Sequence, residues 1–352
     1  MKITDLLEKT GEWLKGRGPD SNIVISSRIR LARNLSDVMF PVKMVPQDAV
    51  DIISTFREAA FQSAFLREMF LFEIDKISEI ERVFLLERHL VSQDFIKEPQ
   101  GKALFLRRDE VCSIMVNEED HLRIQVVKSG FDLDNAWELA SKIDDEFGRN
   151  VEFAYSDELG YLTSCPTNVG TGLRASCMLH LPGLIITKRV GQILQLLAKL
   201  SYTARGFLGE GTQAVGNFFQ ISNQATLGTS EQEIVASMKG IIKQLMSQEI
   251  EARGYLMSRH RVLLEDKIWR SAGILKGARL ISSAESLTHL SLLRLGLDLG
   301  IVDGIGAEEL NNLIVNIQPS HLQHKYKKQL EHSDRDMLRA MLLRGCLDQV
   351  KV

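Results

Sequence analysis

From Thr229 to its C-terminus the chain carries no strand signal, whereas the residues before it mix short apolar or β-branched runs with amphipathic helical stretches. That asymmetry constrains the fold more than any composition does. Thr229-Ser230-Glu231-Gln232 reads as a capping box that opens a periodic pattern from Ile234 through Met257, one long helix. Residues 258–352 continue as helices broken at Gly273, Gly277, Gly300, Gly304 and Pro319. Upstream, residues 3–16 and 46–66 carry helical spacing, and Ile23-Val24-Ile25 is a β-branched run. The apolar runs 103–106 and 111–116 flank a charged turn, Arg107-Arg108-Asp109-Glu110, in the manner of an antiparallel hairpin, and 121–127 alternates like a third strand. Residues 133–147 and 189–203 read as amphipathic helices, 184–187 and 217–221 as short strands. The expected class is α+β: an antiparallel sheet flanked by helices over residues 1–250, then an all-α domain over 251–352.

At 352 residues two domains are favoured over one, and 44% hydrophobic with 25% charged residues is the balance of a soluble globular protein. A net charge of -3 gives no reason to expect a nucleic acid, since counterion release needs a basic surface. No stretch approaches the roughly 20 apolar residues of a membrane span, and the charged, interrupted N-terminus is no signal peptide. Cys112, Cys165, Cys177 and Cys346 are too scattered for a disulfide framework or a C-x-x-C metal site, which reads as free thiols in a reducing cytoplasm.

Two segments carry the chemistry. Asn117-Glu118-Glu119-Asp120-His121-Leu122-Arg123-Ile124 supplies three consecutive carboxylates and an arginine. Cys165-Pro166-Thr167-Asn168-Val169-Gly170-Thr171-Gly172-Leu173-Arg174-Ala175-Ser176 supplies a candidate thiolate, a glycine-rich turn and a second arginine. Taken singly, these are an acidic turn, a small buried cysteine and surface arginines. Together they suit moving a phosphoryl group onto or off a cationic acceptor. There is no Walker A lysine after Gly170-Thr171-Gly172, and no protein-kinase glycine loop, H-R-D or D-F-G.

These two segments, with Ser26-Ser27-Arg28-Ile29-Arg30-Leu31-Ala32-Arg33 before them and Arg205-Gly206-Phe207-Leu208-Gly209-Glu210 after, stand in the order of the signature stretches of the phosphagen (guanidino) kinases, which the chain resembles. The resemblance implies that family's antiparallel sheet flanked by helices, with Mg-ATP as the phosphoryl donor. It implies Glu119 and Glu210 as the carboxylates that orient and deprotonate a guanidinium, with Cys165 as a thiolate lying against it, its pKa lowered by positive surroundings. Arg28, Arg30, Arg123, Arg174 and Arg205 match the phosphate-binding arginines, and Arg33 reads as structural or peripheral. The ATP site would further take in Ser26, Ser27, Ile29, Ala175, Ser176, Cys177, Met178, Gly206, Phe207, Leu208, Gly209 and His89. Met178 stands where many arginine kinases have a histidine. No protein metal ligand is expected; the magnesium would be carried by ATP, through waters on Glu118 and Asp120.

Two departures narrow the resemblance. Only some 25 residues precede Ser26, where small-molecule guanidino kinases carry a helical lid domain, and more than a hundred helical residues follow Gly228. Both features are similar to the bacterial protein arginine kinases, whose substrates are proteins with exposed arginines. Arg335-Asp336-Met337-Leu338-Arg339-Ala340 is an R-D-x-x-R-A motif whose resemblance implies phosphoarginine binding by Arg335, Asp336, Arg339 and Ala340 and coupling of that binding to kinase activity. The same resemblance implies the activator McsA, a Clp ATPase/protease and a heat-shock repressor as partners or targets, and a homodimer. Residues 287–297 and 337–343 read equally as intradomain core or dimer seam. Two competing readings remain: a small-molecule guanidino kinase with an added tail, and a phosphoarginine-binding adaptor.

Overall fold

The computed structural model describes residues 3–7, 9–206 and 215–350. In chain order the first part runs β1 (Val24–Arg33), α1 (Pro46–Gln62), β2 (Phe70–Glu73), α2 (Glu79–Glu87), α3 (Gln93–Lys97), β3 (Ala103–Leu106), β4 (Cys112–Val116), β5 (Leu122–Ser129) and α4 (Leu133–Gly148). A small hairpin, β6 (Tyr155–Ser156) with β7 (Gly160–Tyr161), leads to β8 (Leu173–His180), α5 (Pro182–Ile186), α6 (Val190–Lys199), β9 (Tyr202–Gly206) and β10 (Phe218–Asn223). Then come only helices: α7 (Glu231–Arg259), α8 (Arg261–Gly277), α9 (Ser283–Asp298), α10 (Ala307–Asn316), α11 (Pro319–Tyr326) and α12 (His332–Cys346). Eight strands form one antiparallel sheet in the order β2-β3-β4-β5-β1-β8-β10-β9.

Strand side chains alternate between faces, and the two faces of this sheet have different fates. On one, Ile29 and Leu31 of β1, Ile124 and Val126 of β5, and Leu173 and Ala175 of β8 pack beneath α1, α4, α6 and α7 in the main core. The opposite face is covered only at its ends. At the β3–β4 end, Leu104, Leu106 and Met115 pack with Ile3, Leu6, Phe84, Leu85 and Phe95. At the other end, Ile25, Val127, Met178 and Phe218 pack with the helices α8 to α12 in a core of their own. Between the two covers the middle of this face is left open as a cleft.

Arg33 shows why the parity matters. Its predecessors Arg28 and Arg30 face the cleft, but Arg33 points to the core face, where it is 1% exposed. There its Nε and Nη2 donate to both oxygens of Asp144 on α4 at 2.7–3.1 Å, its Nη1 donates to the Ala32 and Thr171 carbonyls, and its guanidinium lies 3.5 Å over the Tyr161 ring. It is a structural anchor.

Several elements differ from sequence expectation, for tertiary reasons. Residues 3–16 form two short 3₁₀ turns, Ile3–Leu6 and Glu12–Leu14, because Gly11 crosses the buried Arg88–Glu110 ion pair. A Cβ on Gly11 would sit 2.6 Å from Glu110 Oε2. Residues 184–187, expected extended, lie largely in α5, whose N-terminal Gly183 and Leu184 N–H groups each donate to the buried Glu249 carboxylate at 2.9 Å. A carboxylate there satisfies donors that a short helix leaves open. The cap of α7 is Ser230 with Glu233, one residue later than the expected box, and α8 runs through Gly273 unbroken. Helix α7 is continuous across residue 250, contributing Met246 and Ala252 to the sheet's core and Leu256 to the helical one. Leu287, Leu290, Leu293 and Leu343 are at most 1% exposed within that helical core, whereas Met337 and Met341 of the second run are 49% and 46% exposed.

Helix α11 packs on α2: Glu87, ending α2, accepts hydrogen bonds from the Ser320 and His321 N–H groups at 2.8 and 3.1 Å, Ser320 Oγ donates to the Ile80 carbonyl at 2.6 Å, and the His321 ring stacks on Phe84. Replacing Arg33 by alanine strands a buried carboxylate, and breaking such a pair costs about 3–5 kcal/mol. Chemical denaturation of Arg33→Ala is expected to show that loss; a change under about 1 kcal/mol would remove Arg33 from its anchoring role.

Candidate active site

Register brings the five arginines together. Arg28 pairs with Val127 of β5 and Ser176 of β8, Arg30 with Gln125 and Arg174, Ala32 with Arg123, and Ser26 with Met178. Met178 in turn pairs with Gln220, and Gln220 with Arg205. Directly opposed residues share a face, so Arg28, Arg30, Arg123, Arg174 and Arg205, from four strands, all belong to the open face. Arg30, Arg123, Arg174 and Arg205 line a cleft of about 880 Å³ together with His89, Glu118, Glu119, Cys165 and Asn168.

Such a row repels itself. Burial, and then Arg123, Arg174 and Arg205, pull the Arg28 guanidinium down to about 9; burial and then Arg205 and Arg123 bring Arg174 to about 10; burial and then Arg123 and Arg28 depress Arg30 strongly. Neutral hydroxyls hold part of the row: Arg28 Nε reaches Ser176 Oγ at 3.4 Å, and Arg174 donates to Ser222 and Thr203 at 3.0–3.2 Å. Arg30 Nε is buried with no acceptor among the described residues. A face this rich in desolvated cations is built for a polyanion whose charge spreads over several oxygens.

The carboxylates stand at one end of the row, in the β4–β5 turn, and each has a different environment. Glu118 accepts from Ser92 Oγ at 2.5 Å, from the Glu119 N–H at 3.0 Å, and pairs closely with Arg123. Burial alone would raise its pKa, but Arg123 and then Ser92 outweigh it, so Glu118 is held below its ordinary range. Asp120 is 2% exposed and accepts from Asn34 Nδ2 at 2.7 Å and from the Ser164 N–H at 2.6 Å. This corrects the expectation that Asp120 holds a magnesium-bound water: it is a buried tie between the β1 end and the Cys165 loop. Glu119 alone is solvent-facing. Burial raises its pKa, Arg123 opposes, and Asp120 and Glu118 add to the rise; the net position is above the usual carboxylate range.

Cys165 meets Glu119 across the cleft. Its thiol neighbours the Glu119 carboxylate, whose pKa it helps to lower, and lies 3.1 Å from Thr167 Oγ1, while Asn168 Nδ2 approaches Glu119 Oε2 at 3.4 Å. The loop after it comes within backbone contact of its neighbours: Gly172, at φ +62°, would place a Cβ 2.6 Å from the Ala32 carbonyl, so only glycine fits there. Burial, followed by Arg28, lowers His89 to about 4, so a neutral imidazole borders the arginine row, edge-on to Trp13.

Not every expected residue reaches the cleft. Ile29, Ala175 and Cys177 lie on the core face, and Ser27 is spent on the Gly130 carbonyl and the Asp132 N–H. Burial pushes the Cys177 thiol up to about 12. Met178 lies beneath the C-terminal helices. Glu210, Phe207, Leu208 and Gly209 fall outside the described residues; Gly206 ends β9. In α12, Arg339 is 2% exposed and donates to the Ile317 and Ile281 carbonyls at 2.8 Å besides pairing with Asp336, and Ala340 is fully buried. Arg335, half-buried one turn earlier, reaches only the Leu330 carbonyl, at 3.4 Å. Of the motif's two arginines, one side chain is therefore turned inward and the other lies farther out. Sequence reasoning passed over Ser92, Thr167, Glu87 and Gln318, all at the cleft. Thr167 lies inside the Cys165–Ser176 segment, whereas Glu87 meets Ser320 across 233 positions and leaves no local trace.

The family model of the ATP:guanido phosphotransferase C-terminal catalytic domain matches residues 51–252. The chain belongs to the ATP:guanido phosphotransferase family. A second model, the protein-arginine kinase McsB C-terminal domain, matches residues 261–352. Relatives in this family include the protein-arginine kinases of Brevibacillus brevis, 46% identical over 96% of both chains, and of Halothermothrix orenii, 42% identical over 99% of this chain and 100% of that one. Among solved structures, a lombricine kinase is 25% identical with a TM-score of 0.59, covering 67% of this phosphotransferase and 68% of its own chain. The duplicated taurocyamine kinase of Schistosoma mansoni, at 24% identity and TM-score 0.58, covers 78% of this chain and 40% of its own and shares the fold. Among the described residues no helix is long and apolar enough to cross a membrane, and no three His, Cys, Asp or Glu side chains gather as a metal site.

If Glu119 is to act as a base it must be ionised, and its raised pKa means that the ionised fraction is lost on acidification earlier than for an ordinary glutamate. The acid limb of kcat/KM is expected above the ordinary glutamate range, and Glu119→Gln is expected to lower kcat by at least about a hundredfold; a profile unchanged by that substitution would exclude Glu119 as the base. For Asp120→Ala, steady-state kinetics should show a raised KM for the acceptor at little change in the KM for ATP, because the two loops it ties flank the acceptor end.

Proposed function

We propose that this phosphotransferase is a protein-arginine kinase, moving the γ-phosphoryl group of ATP to a guanidino nitrogen of an arginine in a protein. The observation that carries the reading is the single sheet face on which five arginines lie, ending at Glu119 and Cys165. A guanidinium is planar, delocalised and a poor nucleophile. Glu119 binds its N–H fork and takes the proton that leaves as the N–P bond forms and the bond from phosphorus to the ADP oxygen breaks. Cys165 helps to orient the acceptor, and Glu210 is by resemblance the second carboxylate. The arginine row neutralises the charge that builds on the phosphoryl oxygens, the chief requirement in phosphoryl transfer. The donor set suits a magnesium ion that arrives on ATP, bound by phosphates and water; Glu118 is the cleft carboxylate placed to hold one of those waters.

The C-terminal helices match the family whose name is protein-arginine kinase, and the proposal extends to a phosphoarginine site at Arg335, Asp336 and Arg339. Further by resemblance, it extends to a homodimer acting in the bacterial cytoplasm with McsA as activator and a Clp protease as reader of the mark. Mass spectrometry of a protein acceptor after incubation with ATP, at a pH that preserves the N–P bond, is expected to show phosphoarginine. Phosphoryl transfer to free arginine alone would instead make it a small-molecule guanidino kinase, and phosphoarginine binding without turnover an adaptor.

A further inference from the structure

The loop from Cys165 to Gly172 borders two cavities. Cys165, Thr167, Asn168 and Gly172 line the cleft, while Gly170 and Thr171 line a separate groove of about 810 Å³. Phe153, the β6–β7 hairpin with Tyr155, Leu159 and Tyr161, and Leu227 wall that groove. Tyr155, Leu159 and Leu227 are 58%, 42% and 55% exposed, and Tyr155 stands edge-on to Tyr161 with ring centroids 5.3 Å apart. Aromatic and apolar side chains gathered in a groove and left to water mark a surface that takes a partner.

The charge of the groove selects the partner. Its lining carries Glu152, Glu158 and Glu231, and no lysine, arginine or histidine joins them among the described residues. The Arg33 guanidinium that lies 3.5 Å from the Tyr161 ring is already paired with Asp144. The chain as a whole is nearly balanced, with 43 basic and 46 acidic residues, so three carboxylates beside three aromatic rings are a local excess. Carboxylates hold an ammonium or guanidinium by charge-assisted hydrogen bonds and aromatic faces attract the same cations, whereas a phosphate or an acidic segment is repelled.

Backbone bonds join this groove to the Cys165 loop. Tyr161 and Gly170 exchange N–H···O bonds at 2.8 and 3.2 Å, and the Thr171 N–H donates to the Thr226 carbonyl at 3.0 Å. The Thr226 hydroxyl is shared between the Val169 and Thr167 carbonyls at 2.7 and 3.0 Å, and Thr167 Oγ1 lies 3.1 Å from the Cys165 thiol. We infer that the groove docks a basic, extended segment of a partner protein, and that its occupancy is felt at Cys165 through the shared loop. Lysine or arginine side chains of that segment meet Glu152, Glu158 and Glu231, and an apolar neighbour packs on Tyr155 and Leu227. The link to Cys165 rests on the acceptor entering beside Glu119 and Cys165; the docking itself does not.

The probe is a fluorescent peptide of alternating lysine and leucine, which has no arginine and so cannot serve as an acceptor. Fluorescence anisotropy with the full-length chain is expected to show saturable binding that weakens with added salt. Binding is expected to fall about three- to tenfold in the double variant Glu152→Gln, Glu158→Gln and about two- to fivefold in Tyr155→Ala. No binding of the lysine peptide, equal binding by the variants, or equal binding of a peptide with glutamate in place of lysine would each overturn the docking. A changed sedimentation of the double variant would also overturn it, because the occupant would then be a second copy of this chain. With a neutral peptide carrying one arginine as acceptor, saturating probe is expected to shift the acceptor KM about two- to tenfold while the KM for ATP holds; an unshifted KM overturns the link to Cys165. Should no acceptor be phosphorylated at all, the kinase reading is what has failed, and anisotropy still decides the docking.

Discussion

Five like charges held on one face of a sheet are the constraint from which the rest of this structure follows. Arginines so close and so poorly hydrated repel one another, and β-sheet register is rigid enough to hold them there. The core face bears that cost: alternate residues of the same strands, Ile29, Leu31, Ile124 and Leu173, are locked beneath α1, α4 and α7. A one-residue slip of β1 would exchange Arg28 and Arg30 for Ile29 and Leu31, losing core and site together. The stress on Arg28, Arg30 and Arg174 is relieved when a polyphosphate enters, so binding energy and electrostatic preorganisation come from one arrangement.

The three consecutive carboxylates illustrate how environment divides labour among like groups. Glu118 is held by Arg123 and Ser92 at the edge of the arginine row. Asp120 is buried and serves the backbone, tying the β1 end to the Cys165 loop. Only Glu119, between them, keeps its oxygens toward the cleft, and the two neighbouring charges push its proton affinity up. The base proposed here thus arises from a local competition among three acids, of which Asp120 is spent on structure and Glu118 is paired with Arg123.

The C-terminal helices are not an appendage to the catalytic sheet. They bury Ile25, Val127, Met178 and Phe218 on the same face that carries the arginines, and so form one wall's end of the open strip. Gln318 borders the cleft from this side, and Glu87 caps the helix that follows it. Arg339 of α12 holds the Ile317 carbonyl, one residue from the cleft-lining Gln318.

Residue order alone determined the class of the fold, the helical character after Thr229, the family, and the residue types of the site. These are properties of local periodicity and of short motifs, which need no partner to be read. It did not determine that α5 would be a helix, since its capping carboxylate, Glu249, lies some 66 positions away, nor that residues 3–16 would break into 3₁₀ turns over a buried ion pair. Nor did it show that Arg33 would lock onto Asp144 of α4, or that Asp120 would be buried while Glu119 faces solvent. Those distinctions depend on which face a strand turns to water and on which donors the folded chain brings up to each carboxylate, and only packing across the whole molecule decides them.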